Sequence, residues 1–143
     1  MPTVKDIVSA KQRRVISVLN NTPIIDALKI MAAANIGSLV VMKDNQYIGI
    51  FTERDYARKV VLEGRASNTT SVEEVMESAL PQLQDTDSIE QCGIIMAEKN
   101  LRYLPIFEKG EFYNIISQSD VIRHTIESQK KLIEHLQDYM SLK

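Results

Sequence analysis

Tyr47–Asp55 reads "YIGIFTERD" and Phe112–Asp120 reads "FYNIISQSD". An aromatic residue, a mainly apolar run, a hydroxyl residue and an aspartate return with the same internal spacing. Working outward, residues 22–55 lie over residues 87–120 without a gap at an offset of 65. Identities fall at Ile24/Ile89, Ile30/Ile95, Met31/Met96, Ala32/Ala97, Asn35/Asn100, Leu39/Leu104, Ile50/Ile115 and Asp55/Asp120. Conservative pairs such as Ile36/Leu101, Val41/Ile106, Tyr47/Phe112 and Thr52/Ser117 keep the apolar pattern in register between them. Two copies with so long a period exclude a solenoid and indicate an internally duplicated domain.

Each copy reads as helix, strand, turn, strand, helix. Thr22 before Pro23 predicts a helix start, and Asp87 with Glu90 predicts a capping box at the matching place. Ile24, Ala27, Leu28 and Met31 recur at helical spacing, as do Ile89, Cys92 and Met96. "SLVVM" and "YLPIF" have strand length, and the turn-rich "KDNQ" and "EKGE" predict antiparallel hairpins. Pro105 lies inside "YLPIF", so that strand is an edge or a place where the ladder opens. Shorter echoes, "TVKDIVS" (Thr3–Ser9) and "SVEEVME" (Ser71–Glu77), each offer a hydroxyl cap and a small amphipathic turn. "VISVL" and "LPQL" could add an edge strand to each half, and "EGRASNTTS" (Glu63–Ser71) reads as a linker. The last stretch predicts one long helix whose Ile122, Ile126, Ile133, Leu136 and Met140 form a stripe wanting a partner. The expected divisions are 1–65, with core 22–62, and 66–143, with core 87–126 plus the C-terminal helix.

Composition narrows the function classes. The 143 residues are 44% hydrophobic and 25% charged, with a net charge of −2. That balance suits a soluble globular protein and offers no global field for nucleic acid or an anionic membrane. The apolar runs are too short to span a bilayer, and "MPTVKDIVSAKQRR" lacks the pattern of a secretory signal. The single cysteine, Cys92, forbids an internal disulfide, so the expected compartment is the reducing cytoplasm. No G-x-S-x-G, P-loop or cysteine–histidine pair is present, and His124 and His135 have no partner at metal-ligand spacing. An enzyme is therefore not the expected reading, and no metal is expected.

The recurring Gly–apolar–apolar–Thr/Ser–x–x–Asp, "GIFTERD" and the degenerate "NIISQSD", with the preceding "IGSLVVM" and "LRYLPIF", resembles a tandem pair of cystathionine β-synthase (CBS) domains, a Bateman module. The resemblance covers almost the whole chain, and "FTERDYARKV" with "EGRAS" is similar to a stand-alone subgroup. It implies an α/β (α+β) fold of two βαββα-type repeats about a pseudo-twofold axis, with two clefts between them. It further implies a non-catalytic regulatory module that binds AMP, ADP, ATP, NAD or S-adenosylmethionine, works as a homodimer and acts on an enzyme not identified by the sequence. No obligatory cofactor is implied. Carried over by position, Asp55 and Asp120 would hold ribose hydroxyls, while Thr52, Ser117, Arg54 and Arg58 would meet phosphate. Ile50 and Ile115 would flank the adenine, and Pro105 would border its cleft; the counterpart of Pro105 is Val40.

The residues themselves allow that chemistry and a plainer one. An ionised carboxylate can accept from both ribose hydroxyls, and a strand-to-helix junction offers free N–H groups to a phosphate. Thr-x-x-Asp and Ser-x-x-Asp are equally relatives of the capping box, which needs no ligand. Asn114 replaces the glycine found at Gly49, where a missing side chain lets a ligand or another backbone come close. Lys59, Arg123 and His124 are further candidates for countercharge, "KQRR" (Lys11–Arg14) is a weaker one, and Arg102 and Tyr103 could reach a ligand or lie on the surface. Ile50 and Ile115 have core packing as their alternative, as does Cys92, which aligns with Ala27. The alternative function is a ligand-free interaction module that dimerises or docks on a partner enzyme.

Overall fold

The computed structural model describes residues 2–10 and 14–141. Its elements run α1 (Val4–Ser9), β1 (Ser17–Leu19), α2 (Ile24–Ala34), β2 (Ser38–Lys43), β3 (Gln46–Thr52), α3 (Glu53–Asp55), a π-helical continuation (Tyr56–Val61), α4 (Val72–Val75), β4 (Leu83–Gln84), α5 (Ile89–Lys99), β5 (Tyr103–Glu108), β6 (Glu111–Ser117) and α6 (Gln118–Ser141). Two three-stranded sheets result, ordered β1-β2-β3 and β4-β5-β6, each with one parallel and one antiparallel pairing.

The duplication extends to irregular details. Both hairpins turn on two residues with positive φ, Asp44–Asn45 and Lys109–Gly110, as tight hairpins of right-handed twist require. In the first hairpin Val41 faces Gly49 and Met42 faces Tyr47, leaving Ile48 as a bulge. In the second, Ile106 faces Asn114 and Phe107 faces Phe112, leaving Tyr113 in the same place. Asn35 and Asn100 end α2 and α5 in the left-handed conformation, which asparagine tolerates better than most residues.

Helix starts differ by one residue from the sequence expectation. Pro23 occupies the cap position of α2 and makes no side-chain cap bond. Backbone carbonyls from the linker do that work: Ile24 N–H donates to Thr70 O (2.9 Å) and Ile25 N–H to Ser67 O (3.0 Å). At α5 the cap is Ser88, whose hydroxyl accepts from Gln91 N–H, while the Asp87 carboxylate accepts from Gln84 N–H. The hydroxyl nearest the helix thus wins the cap and leaves the carboxylate for the preceding turn.

Pro105 lies in the central strand, so it marks an opening of the ladder and not an edge. Its counterpart Val40 donates its N–H to Ile16 O (3.2 Å) on the β1 side. Proline has no such donor. The neighbouring strand β4 has two residues where β1 has three, and its pairing begins only at Ile106.

Packing divides the chain differently from the sequence halves 1–65 and 66–143. One compact unit comprises residues 13–81; the other joins residues 1–12 to 82–143. Val72 and Val75 of α4 are buried with Ile24, Met31, Leu39 and Phe51 of the first repeat. Val4 and Val8 of α1 are buried with Ile89, Met96, Leu104 and Ile116 of the second. Backbone bonds match this exchange: Val72 N–H donates to Thr22 O, and Val4 N–H donates to Asp87 O. Each short echo therefore completes the core of the other copy. Cys92 is fully buried in the second cluster, as its alignment with Ala27 indicates.

Tyr56 and Val60, four residues apart on one helical face, are committed to the first core, with Val60 buried and Tyr56 packed against the cluster. Ile122 and Ile126 on α6 are exposed. Among the described residues, no helix is long and apolar enough to cross a membrane.

Candidate functional site

The two quoted motifs each end a strand and open a helix, β3 into α3 and β6 into α6. At the first, Thr52 N–H donates to Asp55 Oδ2 (2.9 Å), and Asp55 N–H donates to Thr52 Oγ1 (3.1 Å). The Thr52 hydroxyl also donates to Asp55 Oδ2 (3.0 Å). At the second, Ser117 N–H donates to Asp120 Oδ2 (2.8 Å), and Asp120 N–H donates to Ser117 Oγ (3.2 Å). Both motifs are complete capping boxes.

Two further boxes, Thr3–Asp6 and Ser71–Glu74, lie outside the repeated phrase. The box is thus a local device that this chain uses at several helix starts. Burial separates the motif pair from the others. Asp55 is 2% exposed and Asp120 6% exposed, whereas Asp6 and Glu74 are open to solvent. In the exposed boxes the backbone N–H groups hold the carboxyls below their usual range. Burial pushes the Asp55 carboxyl up, against the pull of Lys59 and Thr52. A cap needs no such desolvation, so the depth of these two carboxylates is what capping leaves unexplained.

Lys59 forms an ion pair with Asp55. Its Nζ lies 3.1 Å from Asp55 Oδ1 and 2.8 Å from Glu77 Oε1, and it donates to Val75 O (3.0 Å). Lys59 holds the Glu77 carboxyl below its ordinary value. The ammonium, expected among the phosphate contacts, is thus engaged with two carboxylates of its own unit. Around Asp120 the corresponding contact is looser, with Arg123 Nη1 3.7 Å from Oδ1 and the arginine mostly exposed.

Gly49 is explained by backbone approach. A Cβ there would lie 2.7 Å from Glu77 O and 2.7 Å from Met76 Sδ. Next to it, Ile50 N–H donates to Glu77 O (3.0 Å), and Glu77 N–H donates to Ile50 O (2.9 Å). The Met76–Glu77 segment therefore lies directly against β3. At Asn114 the side chain is used instead, its Oδ1 accepting from Ile115 N–H (2.8 Å).

Strand alternation places Ile50 and Ile115 on the sheet face opposite Phe51 and Ile116, away from each unit's own core cluster. Pro105 pairs with Ile115 just as Val40 pairs with Ile50, so the apolar candidates share a face. Arg58 is exposed, and Arg54 is half-buried within α3. Arg102 is exposed and Tyr103 half-buried. Of "KQRR", Lys11, Gln12 and Arg13 lie outside the described residues, and Arg14 is exposed. Glu77, by contrast, enters the Asp55 environment through the fold alone; its only sequence signal was membership of the second echo. Among the described residues, no group of histidine, cysteine and acidic side chains is arranged to hold a metal.

A separate groove of about 600 Å³ runs between α5 and α6, lined by Gly93, Ile94, Ala97, Val121 and Leu132 among others. It contains neither motif aspartate and is predominantly apolar. Its polar groups, among them Glu90, Ser128 and Gln129, lie on the exposed faces of the two helices, and it holds no buried carboxylate like those of the motifs, which are the better candidate site.

Comparison with known proteins agrees with the fold. The CBS domain family model matches residues 4–62 and 72–127. The CBS domain-containing protein YhcV of Bacillus subtilis is 30% identical over 121 residues, covering 85% of this chain and 84% of its own length. The mitochondrial CBS domain-containing protein CBSX3 of Arabidopsis thaliana is 30% identical over 120 residues, and there the match spans 80% of this chain but only 58% of the plant protein. A solved CBS-domain protein from Burkholderia ambifaria superimposes with a TM-score of 0.84 at 38% identity, covering 90% of this chain and 96% of its own. With both repeats matched and the architecture shared, this chain belongs to the CBS-domain family.

Proposed function

We propose that the chain is a non-catalytic regulatory module that binds an adenine nucleotide or nucleoside at its Thr/Ser-x-x-Asp motifs and works as a homodimer. Proteins built on CBS pairs are in general regulatory modules, often nucleotide-binding, which supports the class. The observation that carries the ligand reading is the depth of Asp55 and Asp120 compared with the two exposed boxes. A buried carboxylate accepting two ribose hydroxyls would recover in hydrogen bonds what its desolvation costs. Thr52 and Ser117, with Arg54 and Arg58 near the first motif, would meet the phosphate. Ile50 and Ile115 would lie against the adenine, with Pro105 beside Ile115.

The Lys59 bridge favours a second reading for the first motif. Lys59 already neutralises Asp55 and ties it to Glu77. A ligand there must share the carboxylate with Lys59 or displace it; otherwise the first motif is a purely structural junction. In that case only Asp120 serves a nucleotide, or the module acts through protein contacts alone.

Ligand-linked stability tests the proposal. A ligand that binds only the native state at one hundred times its Kd stabilises by about 2.7 kcal/mol. Urea midpoints measured with AMP, ADP, ATP, NAD and S-adenosylmethionine should rise for at least one of them. Unchanged midpoints with all five at millimolar concentration would reject nucleotide binding and leave the interaction module.

A further inference from the structure

The first motif's helix ends at Val61, but α6 continues to Ser141, a 24-residue helix about 36 Å long. The CBS family match stops at residue 127, so the last part of α6 is not required by the repeat. Every described residue from Ile126 to Ser141 is exposed. Helices of this kind take most of their stability from packing an apolar face.

That face has a register. Ile126, Ile133 and Met140 are seven apart, and Ile122, Gln129 and Leu136 interleave at the alternating three- and four-residue spacing of a heptad seam. Isoleucines take two of the three "a" positions and leucine one of the "d" positions, choices that favour two parallel strands. Gln129 is the single polar residue in the seam. In a parallel, in-register pair it meets its own counterpart, and one amide can donate while the other accepts. An antiparallel pair centred on this segment would set Gln129 against Ile133 and leave the amide without a partner.

Area and charge point to the same occupant. Ile126, Leu132, Ile133, Leu136, Tyr139 and Met140 are 48–71% exposed. With Ile122 they present on the order of 800 Å² per copy, about the share that each partner gives to a standard interface. Glu127, Lys131, Glu134 and Asp138 lie away from the seam and Lys130 flanks it, and their signs nearly cancel. An anionic membrane is therefore not the partner.

We propose that Ile126–Met140 of α6 is a parallel two-stranded coiled-coil seam that joins two copies of this chain. The seam rests on the homodimer reading but not on nucleotide binding: self-association unchanged by the seam variants overturns the seam alone, and failure of nucleotide binding leaves it standing.

Sedimentation of the full chain and of an Ile133→Glu/Leu136→Glu variant tests it, with circular dichroism verifying the fold. Two unpaired charges in the seam should weaken self-association by about 100-fold or more. Mild oxidation then reads the register. Leu136→Cys should give a covalent dimer and Asp138→Cys should not, while buried Cys92 stays outside the reaction. A monomeric wild type, unchanged association of the double variant, or equal cross-linking at both positions would overturn the seam. Cross-linking of Leu136→Cys only with Ile126→Cys would overturn its parallel register.

Discussion

Replacing Gly49 by alanine separates a ligand role for that glycine from a packing role. The added methyl would sit 2.7 Å from Glu77 O and 2.7 Å from Met76 Sδ. The methionine side chain can move, but the carbonyl belongs to a backbone bonded twice to Ile50. Relief therefore requires the Met76–Glu77 segment to withdraw. Losing those two bonds costs about 1 kcal/mol each, and residual overpacking adds about 1 kcal/mol more. The expected destabilisation is about 2–4 kcal/mol with no ligand present. Withdrawal also takes Glu77 away from Lys59, so the loss should depend on pH. The counterpart Asn114→Ala forfeits one side-chain bond to Ile115 N–H and should cost about 1 kcal/mol. Urea unfolding of both variants gives the comparison through shifts in midpoint at constant slope. If Gly49→Ala lost less than about 0.5 kcal/mol, a range usual for unremarkable surface changes, the close approach of Glu77 would be refuted.

Three other outcomes follow from the same geometry. Asp55→Ala should cost about 2 kcal/mol, because it removes a cap and leaves Lys59 bonded only to Glu77 and Val75 O; Asp6→Ala in its exposed box should cost less, and equal urea midpoints would contradict this. Because Lys59 depresses the Glu77 carboxyl, that group's contribution to stability is present above its ordinary value of 4.5 and is lost as pH falls through its lower folded value. The stability advantage of wild type over Glu77→Gln should accordingly vanish in acid, and an advantage that grows there would reverse the assignment. Burial raises the Cys92 thiol to about 11, so a thiol reagent at mildly alkaline pH should label it only after unfolding; fast labelling of the native protein would place Cys92 at the surface.

Much of this was legible in the chain because the duplication kept apolar periodicity, turn residues and motif spacing in register. The hairpins, the C-terminal helix and the buried face of Cys92 depend on local pattern, which sequence carries directly. The exchange of α1 and α4 between repeats was not legible, since two short amphipathic turns state only that they need a core. Nor was the helix-start shift to Ser88, which turned on whether Asp87 served the helix or the turn before it. At the site, spacing revealed both boxes but not the contrast between buried Asp55 and exposed Asp6, because burial is set by neighbours distant in sequence. The Lys59–Glu77 contact spans 18 positions and joins two segments with no shared motif. Its presence changes the standing of "GIFTERD": Gly49 admits a backbone, and Asp55 already has a cation.

Titration calorimetry of wild type, Asp55→Asn and Asp120→Asn with the same adenosine compounds tests the central claim most directly. The account predicts saturable binding to wild type, weakened by about 1.5–3 kcal/mol, or roughly tenfold or more, when the carboxylate that accepts the ribose becomes an amide. Binding that neither variant changes, or no binding by wild type, would contradict it.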